Sequence, residues 1–214
     1  MQPSAVKAFK PKAGNILRIL VSTTDKSGLA KLKPLIDRGS QIVTTGGTAT
    51  ELRKKHGFPC TDVSEVTGFP EILNGRVKLL HPKMFAGLLA EQGTMEHLDT
   101  IAEHGIDPFH AVFINLYDFF GKPGIDQIDV GGPAALRAAA KNGLVVVIDV
   151  SDYDRVIQEM CASEDGTVSS KLRNELIVKV FRCTSEYDSA IADWLEEQGR
   201  LGIDPFASVN LSSH

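Results

Sequence analysis

Small hydroxyl side chains and glycines stand where two predicted strands end. The first strand ends in two hydroxyls and an ammonium at alternate positions, Ser22, Thr24 and Lys26. The second ends in the run Thr45, Gly46, Gly47 and Thr48. Glycines let backbone N–H groups approach an anion closely, and Thr48 could cap the helix that follows. Together these residues predict a phosphate site, whereas each segment alone fits an ordinary strand-to-helix turn equally well.

The glycines at positions 46 and 47 do not belong to a common mononucleotide or dinucleotide motif. No Gly-Lys-Ser/Thr sequence follows them, as a Walker A loop requires, and their spacing differs from Gly-x-Gly-x-x-Gly. We therefore expect a ligand with a single phosphate rather than ATP or NAD.

Residues 75–84 read GRVKLLHPKM and have neither the period of a helix nor the alternation of a strand. Arg76 and Lys78 lie two positions apart in this segment, and Pro82 would stiffen it. Both cations could reach an anionic or carbonyl-rich ligand. Composition alone favours a second interpretation, in which the cations are solvated and His81 caps the loop.

A third set of polar side chains follows an apolar strand and opens a helix. Asn115 and Tyr117 lie where an apolar run ends, and Asp129 precedes a helix that carries Lys141. A tyrosine, an aspartate and a lysine near the ligand edge of a sheet could move protons, because neighbouring groups shift their pKa values. Spacing alone equally allows Asp129 as a helix cap and Lys141 as a cation at the helix C-terminus.

The overall charge argues against several kinds of partner. The chain has 23 Lys and Arg against 27 Asp and Glu, so we do not expect a nucleic-acid binder that neutralises phosphates. No stretch is apolar enough to cross a membrane, and no membrane partner is expected. His97 and His104 lack the carboxylate or cysteine partners of a metal site, so we expect no metal.

The cysteines indicate the redox compartment. Cys60, Cys161 and Cys183 are odd in number, widely spaced and outside any Cys-x-x-Cys motif. Such a set fits free thiols in a reducing environment better than a disulfide framework. We therefore predict a cytoplasmic location.

Short apolar runs alternate with helical patterns, which predicts an α/β fold with a parallel sheet and right-handed crossovers. The predicted strands are residues 16–24, 41–45, 60–64, 111–116 and 144–150. The first predicted helix is capped by Asp25 or Ser27, kinks at Pro34 and stops at Gly39. The other predicted helices are residues 49–55, 95–104 and 133–142, followed by a helical region after residue 152.

We predict one domain over residues 16–200, a three-layer open parallel sheet with a helical C-terminal extension. Residues 1–15 and 201–214 are predicted tails. Residues 65–84 are the exception to this regularity and are predicted to form one long loop. The apolar content of this segment argues for a functional loop rather than disorder.

The order of the motifs resembles the IMP cyclohydrolase domain of the bifunctional purine biosynthesis protein. The matching segments are STTDKSG, TGGTA, DVSEVTGFPEILNGRVKLLHPK, GLLA, NLY, IDVGGPAALRAAAKN and DYD. The resemblance implies a methylglyoxal-synthase-like fold and closure of 5-formamidoimidazole-4-carboxamide ribonucleotide to IMP with loss of water. This reaction is the last step of de novo purine biosynthesis, needs no cofactor, and in this family is carried out by homodimers.

The resemblance also implies roles for individual residues. The 5′-phosphate would be bound by Ser22, Thr24, Lys26, Thr45, Gly46, Gly47 and Thr48. Arg76 and Lys78 would meet the base, with Lys78 supporting the oxyanion. The carboxamide would be oriented and protons moved by Asn115, Tyr117, Asp129 and Lys141, with Asp129 and Lys141 as a coupled pair. Gly131 would belong to the substrate-binding set.

The chain departs from the family pattern at several positions. Leu79 replaces a threonine whose hydroxyl could contact the formyl group, and Phe85 replaces a histidine. These departures keep open a second hypothesis, a non-catalytic module that senses a nucleotide or phosphometabolite on the same fold. Such a sensor would need the phosphate site but not the proton-transfer group. A methylglyoxal synthase would need a catalytic aspartate beside residues 45–48, which the contexts of Asp25 and Asp62 support less well.

Overall fold

The computed structural model describes residues 17–207, and these residues form five parallel strands flanked by helices. The strands are β1 (Arg18–Ser22), β2 (Gln41–Thr44), β3 (Thr61–Asp62), β4 (Ala111–Ile114) and β5 (Val145–Val147). Their order in the sheet is β3-β2-β1-β4-β5, and every neighbouring pair is parallel. The predicted open parallel sheet is confirmed. Of the predicted tails, residues 1–15 and 208–214 lie outside the described part of the chain.

Eight α-helices of the described chain surround the sheet. They are α1 (Lys33–Asp37), α2 (Gly46–His56), α3 (Val63–Thr67), α4 (Pro82–Leu89), α5 (Met95–Glu103), α6 (Gly131–Lys141), α7 (Tyr153–Ala162) and α8 (Ser170–Arg200). Short 3₁₀ turns lie at Leu29–Leu32, Leu73–Gly75, Ile125–Gln127 and Val150–Asp152. Between residues 17 and 207, no helix combines the length and the apolar character needed to cross a membrane.

Consecutive residues of β1 and of β4 are buried, which indicates that both faces of the sheet are covered by helices. In the sheet register, Val21 of β1 lies between Thr44 of β2 and Phe113 of β4. The carboxyl ends of these three strands therefore meet at one edge. Segments that follow the strands are brought together there, which is where open parallel sheets bind ligands.

Strand β3 is shorter than predicted, and residues 63 and 64 belong to a helix instead. Asp62 Oδ1 accepts a hydrogen bond from the Ser64 N–H at 3.0 Å, and Glu65 Oε1 accepts from the Asp62 N–H at 3.2 Å. This capping box starts α3 immediately after the strand. The predicted extent of the third strand was therefore wrong.

The starts of three other helices also differ from the prediction. The helix predicted after β1 is broken: a 3₁₀ turn leads into α1, which places Pro34 in its first turn, where a missing N–H does no harm. Helix α2 begins at Gly46 rather than at residue 49. Helix α6 begins at Gly131, two residues before Pro133, because Asp129 Oδ1 accepts from the Gly132 N–H at 2.8 Å.

Residues 65–84 were predicted to form one long loop, and this prediction was wrong. Helix α3 occupies the beginning of the segment, and α4 begins at Pro82, with His81 Nδ1 accepting from the Lys83 N–H at 3.2 Å. The irregular part between them contains a bridge from Ile72 to Val77. Its tip includes residues 73 and 74, whose φ angles of 54° and 53° make a tight left-handed turn.

The predicted helical C-terminal extension is confirmed as α7 and the 31-residue helix α8. Helix α8 packs on β5 and α6, and its inward face buries Leu172, Leu176, Val180 and Tyr187. Lys179 of α8 lies 2.8 Å from Asp149 and 2.7 Å from Asp152, in the turn after β5. The hydrogen bond from Lys179 is the main reason that the pKa of Asp149 is lowered to about 2.

Candidate functional site

The ends of β1 and β2 form an anion-binding surface, here named the anion cradle (Ser22, Thr45, Gly46 and Gly47). Ser22 Oγ and Thr45 Oγ1 lie 3.0 Å apart. Since α2 begins at Gly46, its first N–H groups have no acceptor within the helix. A Cβ on Gly47 would meet no atom within 4 Å, so the backbone is open to a ligand here. Free N–H groups at a helix start suit a phosphate.

Thr48 lies inside α2 and does not cap the helix, so this predicted role was wrong. Its hydroxyl accepts from the Thr23 N–H at 3.1 Å and donates to the Thr23 carbonyl at 3.2 Å. The residue is only 2% exposed. Thr48 therefore ties α2 to the end of β1 and supports the cradle without facing its open side.

Lys26 and Thr24 lie in the turn that follows β1, next to the cradle. Thr24 is exposed and Lys26 is half-buried. The pKa of Glu51 in α2 is lowered by its hydrogen bond with Lys55 and, less strongly, by the charges of neighbouring cations that include Lys26. Lys26 is thus close enough to α2 to act electrostatically on it.

Asn115 clamps the same turn to the end of β4. Its Oδ1 accepts from the N–H groups of Thr24 at 2.5 Å and Asp25 at 3.1 Å. Its Nδ2 donates to the Asp25 carbonyl at 3.1 Å. Both ends of the side-chain amide are therefore engaged by backbone. The amide thereby fixes the shape of the turn beside the cradle, and its expected role in orienting a carboxamide stays a prediction.

A cavity of about 560 Å³ lies between residues 74–80 and the start of α6. Five of the predicted site residues contribute to its wall, namely Arg76, Lys78, Tyr117, Asp129 and Gly131. The structure thus brings the cationic segment and the third polar set into one site. Its volume falls within the range of about 300–1,000 Å³ that is usual for small-molecule sites.

Burial raises the pKa of the Asp129 carboxyl above its ordinary value of 3.8. The hydrogen bond from the Gly132 N–H, the charge of Lys78 and the Gly131 N–H act in the opposite direction. The shift is upward because loss of hydration of the charged form outweighs these contacts. A carboxyl with a raised pKa can exchange a proton closer to neutral pH than an ordinary aspartate does.

Glu71 links the cavity to the anion cradle. Its Oε1 lies 3.4 Å from Lys78 Nζ, and its Oε2 lies 3.7 Å from the position that a Cβ on Gly46 would take. Gly75 has a φ of +85°, and a Cβ there would lie 2.6 Å from both Glu71 Oε1 and Lys78 Cε. Glycine at position 75 is therefore needed for this approach of the two side chains.

Arg76 pairs with Asp126 across the mouth of the cavity. The two side chains lie 2.8 Å apart and are 59% and 82% exposed. An ion pair in water contributes little to stability. Arg76 can therefore exchange this partner for a ligand group without a large loss of free energy.

Lys141 lies away from the cavity, at the other end of α6 and exposed. A helical rise of about 1.5 Å per residue separates it from the start of α6 by roughly 15 Å. The structure therefore does not bring Lys141 together with Asp129 within one chain, and the expected coupled pair is not formed there.

Leu79, at the position of the missing threonine, packs into the core behind the cavity. It is 5% exposed, and a Cβ on Gly131 would lie 3.9 Å from its own Cβ. The position that would supply a hydroxyl in the family pattern is thus an apolar part of the wall.

Our sequence reasoning missed three residues that shape the site, namely Glu71, Asp126 and Tyr187. Glu71 stands within the motif TGFPE, so the sequence carried a signal for it. Tyr187 contacts Asp129 across 58 residues of sequence and shows only the spacing of a core residue. Across the described range 17–207, no cluster of His, Cys, Asp and Glu could hold a metal ion.

Asp129→Asn tests the effect of burying this carboxyl. The asparagine keeps an oxygen for the Gly132 N–H but carries no charge, so at pH values above the folded-state pKa the variant should be more stable than the parent. The difference should shrink as pH falls through that raised pKa and vanish below the ordinary value of 3.8, where the parent is neutral in both states. Urea unfolding at several pH values measures it.

The control for this prediction is Asp99→Asn, at an exposed position of α5. It should change stability little at any pH. A parent that equals or exceeds Asp129→Asn in stability at neutral pH would contradict the prediction.

Two family models match the chain. The model described as the MGS-like domain matches residues 29–146. The model described as the AICARFT/IMPCHase bienzyme matches residues 139–213.

Curated relatives are similar over most of this chain but are much longer. The bifunctional purine biosynthesis protein PurH of Clostridium acetobutylicum is 46% identical over 193 residues, which are 85% of this chain and 38% of that protein. PurH of Listeria welshimeri is 44% identical over 83% of this chain, and PurH of Bacillus subtilis is 43% identical over 84%. The chain spans 37% of the length of each of these two relatives.

A solved structure has the same fold. The crystal structure of ForH superposes with a TM-score of 0.74 and 29% sequence identity, and the match covers 86% of this chain and 98% of that one. The MGS-like model spans more than half of the sequence, and its match includes β2, β3 and β4 together with the residues that line the cavity. The chain therefore belongs to the family of MGS-like domains and is similar, over most of its length, to PurH proteins.

Proposed function

We propose that this chain is an IMP cyclohydrolase, which closes 5-formamidoimidazole-4-carboxamide ribonucleotide to IMP with loss of water. The observation that carries the proposal is that Lys78, Tyr117 and Asp129 line one cavity. The similarity to PurH and to the AICARFT/IMPCHase model supports the same activity. A sensing module would need the cradle but not these three groups.

The substrate would bind with its 5′-phosphate in the anion cradle and its base in the cavity. The phosphate would accept from the free N–H groups at the start of α2 and from the hydroxyls of Ser22 and Thr45. Lys26 would add a positive charge nearby. Glu71 lies next to both Gly46 and Lys78, so the ribose would lie near its carboxylate, between the phosphate and the base.

The reaction needs positioning and proton transfer. The carboxamide nitrogen attacks the formyl carbon of the same molecule, so a C–N bond forms and the formyl oxygen becomes an oxyanion. Two protons then move to this oxygen, one from the carboxamide nitrogen and one from the former formamide nitrogen. The oxygen leaves as water, and the atoms and electrons balance without an oxidant or a reductant.

The residues of the cavity match these requirements. The Lys78 ammonium would stabilise the oxyanion, since a fixed cation in a partly dry site acts strongly on developing charge. Asp129, with its raised pKa, would accept a proton from the attacking nitrogen. Tyr117 would deliver a proton to the departing oxygen. Arg76 would bind the base at the mouth of the cavity.

Two predicted residues take different places in this proposal. Asn115 would act on the phosphate end, through the turn that carries Thr24 and Lys26, rather than on the carboxamide. Lys141 is remote from the cavity of its own chain. It would take part in the reaction only by entering the cavity of another copy of the chain.

We also propose that the chain forms a homodimer in the cytoplasm. Val178 and Phe181 are three residues apart on α8 and are 47% and 46% exposed, which makes this face of the helix a candidate contact. Cys60, Cys161 and Cys183 are free, as is usual in a reducing compartment.

The activity is tested by incubating the purified chain with the formylated ribonucleotide and following IMP absorbance. The parent should form IMP, and Lys78→Ala should lower kcat by about 10²–10³-fold, the usual effect of losing one oxyanion-stabilising group. Lys83→Ala, in the same basic segment but outside the cavity wall, is the matched control and should retain activity. Tight binding of IMP without turnover by the parent would refute the proposal in favour of the sensing module.

Asn115→Ala tests the clamp. Loss of three hydrogen bonds to the turn at residues 24–25 should disorder the phosphate end of the site, so KM for the ribonucleotide should rise about tenfold while kcat falls less. Steady-state kinetics separates the two constants. A variant with normal KM and strongly reduced kcat would return Asn115 to its first predicted role at the carboxamide.

Phe181→Asp tests the dimer. A charge at the centre of a contact between copies should shift sedimentation velocity from dimer to monomer, because a buried unpaired carboxylate is costly. Met95→Asp, at an exposed apolar position of α5, is the control and should leave the dimer intact. A parent that sediments as a monomer at micromolar concentration would rule out the homodimer.

A further inference from the structure

Tyr187 of α8 is bound to the backbone that carries Asp129. The residue is 1% exposed. Its hydroxyl accepts from the Asp129 N–H at 2.8 Å and donates to the Gln127 carbonyl at 2.6 Å. Both hydrogen-bonding capacities of the hydroxyl are thus directed to one short segment, from a helix that contributes nothing to the cavity wall.

The ring of Tyr187 holds a second segment of the site. It contacts the rings of Phe119 and Phe120 edge to face, at centroid distances of 5.9 and 6.5 Å. The ring of Phe119 also contacts the ring of Trp194 edge to face, at a centroid distance of 5.8 Å. Trp194 belongs to α8 as well. These phenylalanines directly follow Tyr117 and Asp118. A single side chain therefore contacts both the segment of Tyr117 and the segment of Asp129.

Neither segment has a regular ladder of hydrogen bonds to fix it. Between the end of β4 and the start of α6, the described chain has one element of regular secondary structure, the 3₁₀ turn Ile125–Gln127. Contacts with the rest of the protein must then set the distance between Tyr117 and Asp129. Tyr187 supplies such contacts on both sides.

Asp129 is held at two points. Its N–H donates to Tyr187, and its Oδ1 accepts from the Gly132 N–H at 2.8 Å. With the backbone and one carboxylate oxygen fixed, Oδ2 has a defined direction. Loss of the Tyr187 hydroxyl would release the backbone end of this arrangement and leave the Gln127 carbonyl without its donor.

We propose that Tyr187 is a positioning residue for the ring closure, which sets where Asp129 stands relative to Tyr117 and Lys78. This inference rests on the proposed function. Tyr187 does not line the cavity and acts through the two segments that it contacts, those of Asp129 and Tyr117. Catalysis is sensitive to such placement, since a displacement of about 1 Å can lower a rate by roughly 10²-fold.

Tyr187→Phe is the test, because it keeps the ring contacts and removes only the hydroxyl. We expect kcat to fall by about 10–100-fold while KM changes by less than about threefold, since the anion cradle is untouched. Amide exchange of residues 125–132 gives a second readout that needs no activity. The Asp129 N–H should exchange at least about tenfold faster in the variant, because it loses its buried acceptor.

Thr184→Val is the matched control. Thr184 is 1% exposed on the same helix, and its hydroxyl bonds only within the helix, to the Phe181 carbonyl at 3.3 Å. The variant also loses one buried hydroxyl of α8, but it should keep kcat and the exchange rate of the Asp129 amide. The kcat values of the two variants are compared at temperatures at which each has lost the same stability relative to the parent. A lower kcat in Tyr187→Phe alone then reports positioning rather than general destabilisation.

The outcomes are distinct. A Tyr187→Phe enzyme with parental kcat, or a kcat loss that Thr184→Val reproduces at equal Tm, would overturn the positioning role. If the parent makes no IMP, the proposed function fails and the catalytic part of this inference fails with it. Amide exchange still decides then whether Tyr187 holds Asp129: a parental exchange rate in Tyr187→Phe would overturn that contact too.

Discussion

Two side-chain clamps hold the carboxyl edge of the sheet together, and the candidate site depends on them. Thr48 hydrogen-bonds the Thr23 backbone and joins α2 to β1, while Asn115 joins the end of β4 to the turn after β1. Parallel strands bring their ends to one edge, but they do not determine the path of the chain beyond it. The clamps do so before any ligand arrives. An anion site that is formed in advance loses less conformational entropy when its ligand binds.

The other half of the site is built differently. The cavity wall consists of irregular segments, whose order comes from contacts with neighbours rather than from a sheet. Gly75 permits the close approach of Glu71 and Lys78, and Tyr187 holds the segments on the opposite side. A long helix at the end of the chain is thus part of the structure that carries the chemistry. This arrangement explains why so much of the C-terminal region packs on β5 and α6 rather than forming a separate unit.

The sequence was informative where the physical signal is local. Continuous apolar runs predicted the buried strands β1, β4 and β5, and the glycines at 46 and 47 predicted a close backbone approach to an anion, although the helix was expected to begin only at residue 49 and begins at Gly46. The third strand was overextended, although the residues Asp62 and Glu65 that form the capping box of α3 are visible in the sequence. The role of Asn115 was missed for another reason: its partners lie 90 and 91 residues away, and no local pattern reports such a contact. The separation of Lys141 from Asp129 was within reach of the sequence, because the predicted helix 133–142 already placed the two residues at opposite ends of α6.

The carboxylate of Glu71 gives the cleft an internal counter-ion. It neutralises Lys78 at 3.4 Å while also standing near the start of α2, so the unliganded cleft does not present its full positive charge to solvent. A dianionic ligand that enters must replace this resident anion rather than a cloud of salt ions. Ligand affinity should consequently depend less on ionic strength than the number of lysines and arginines around the cleft suggests.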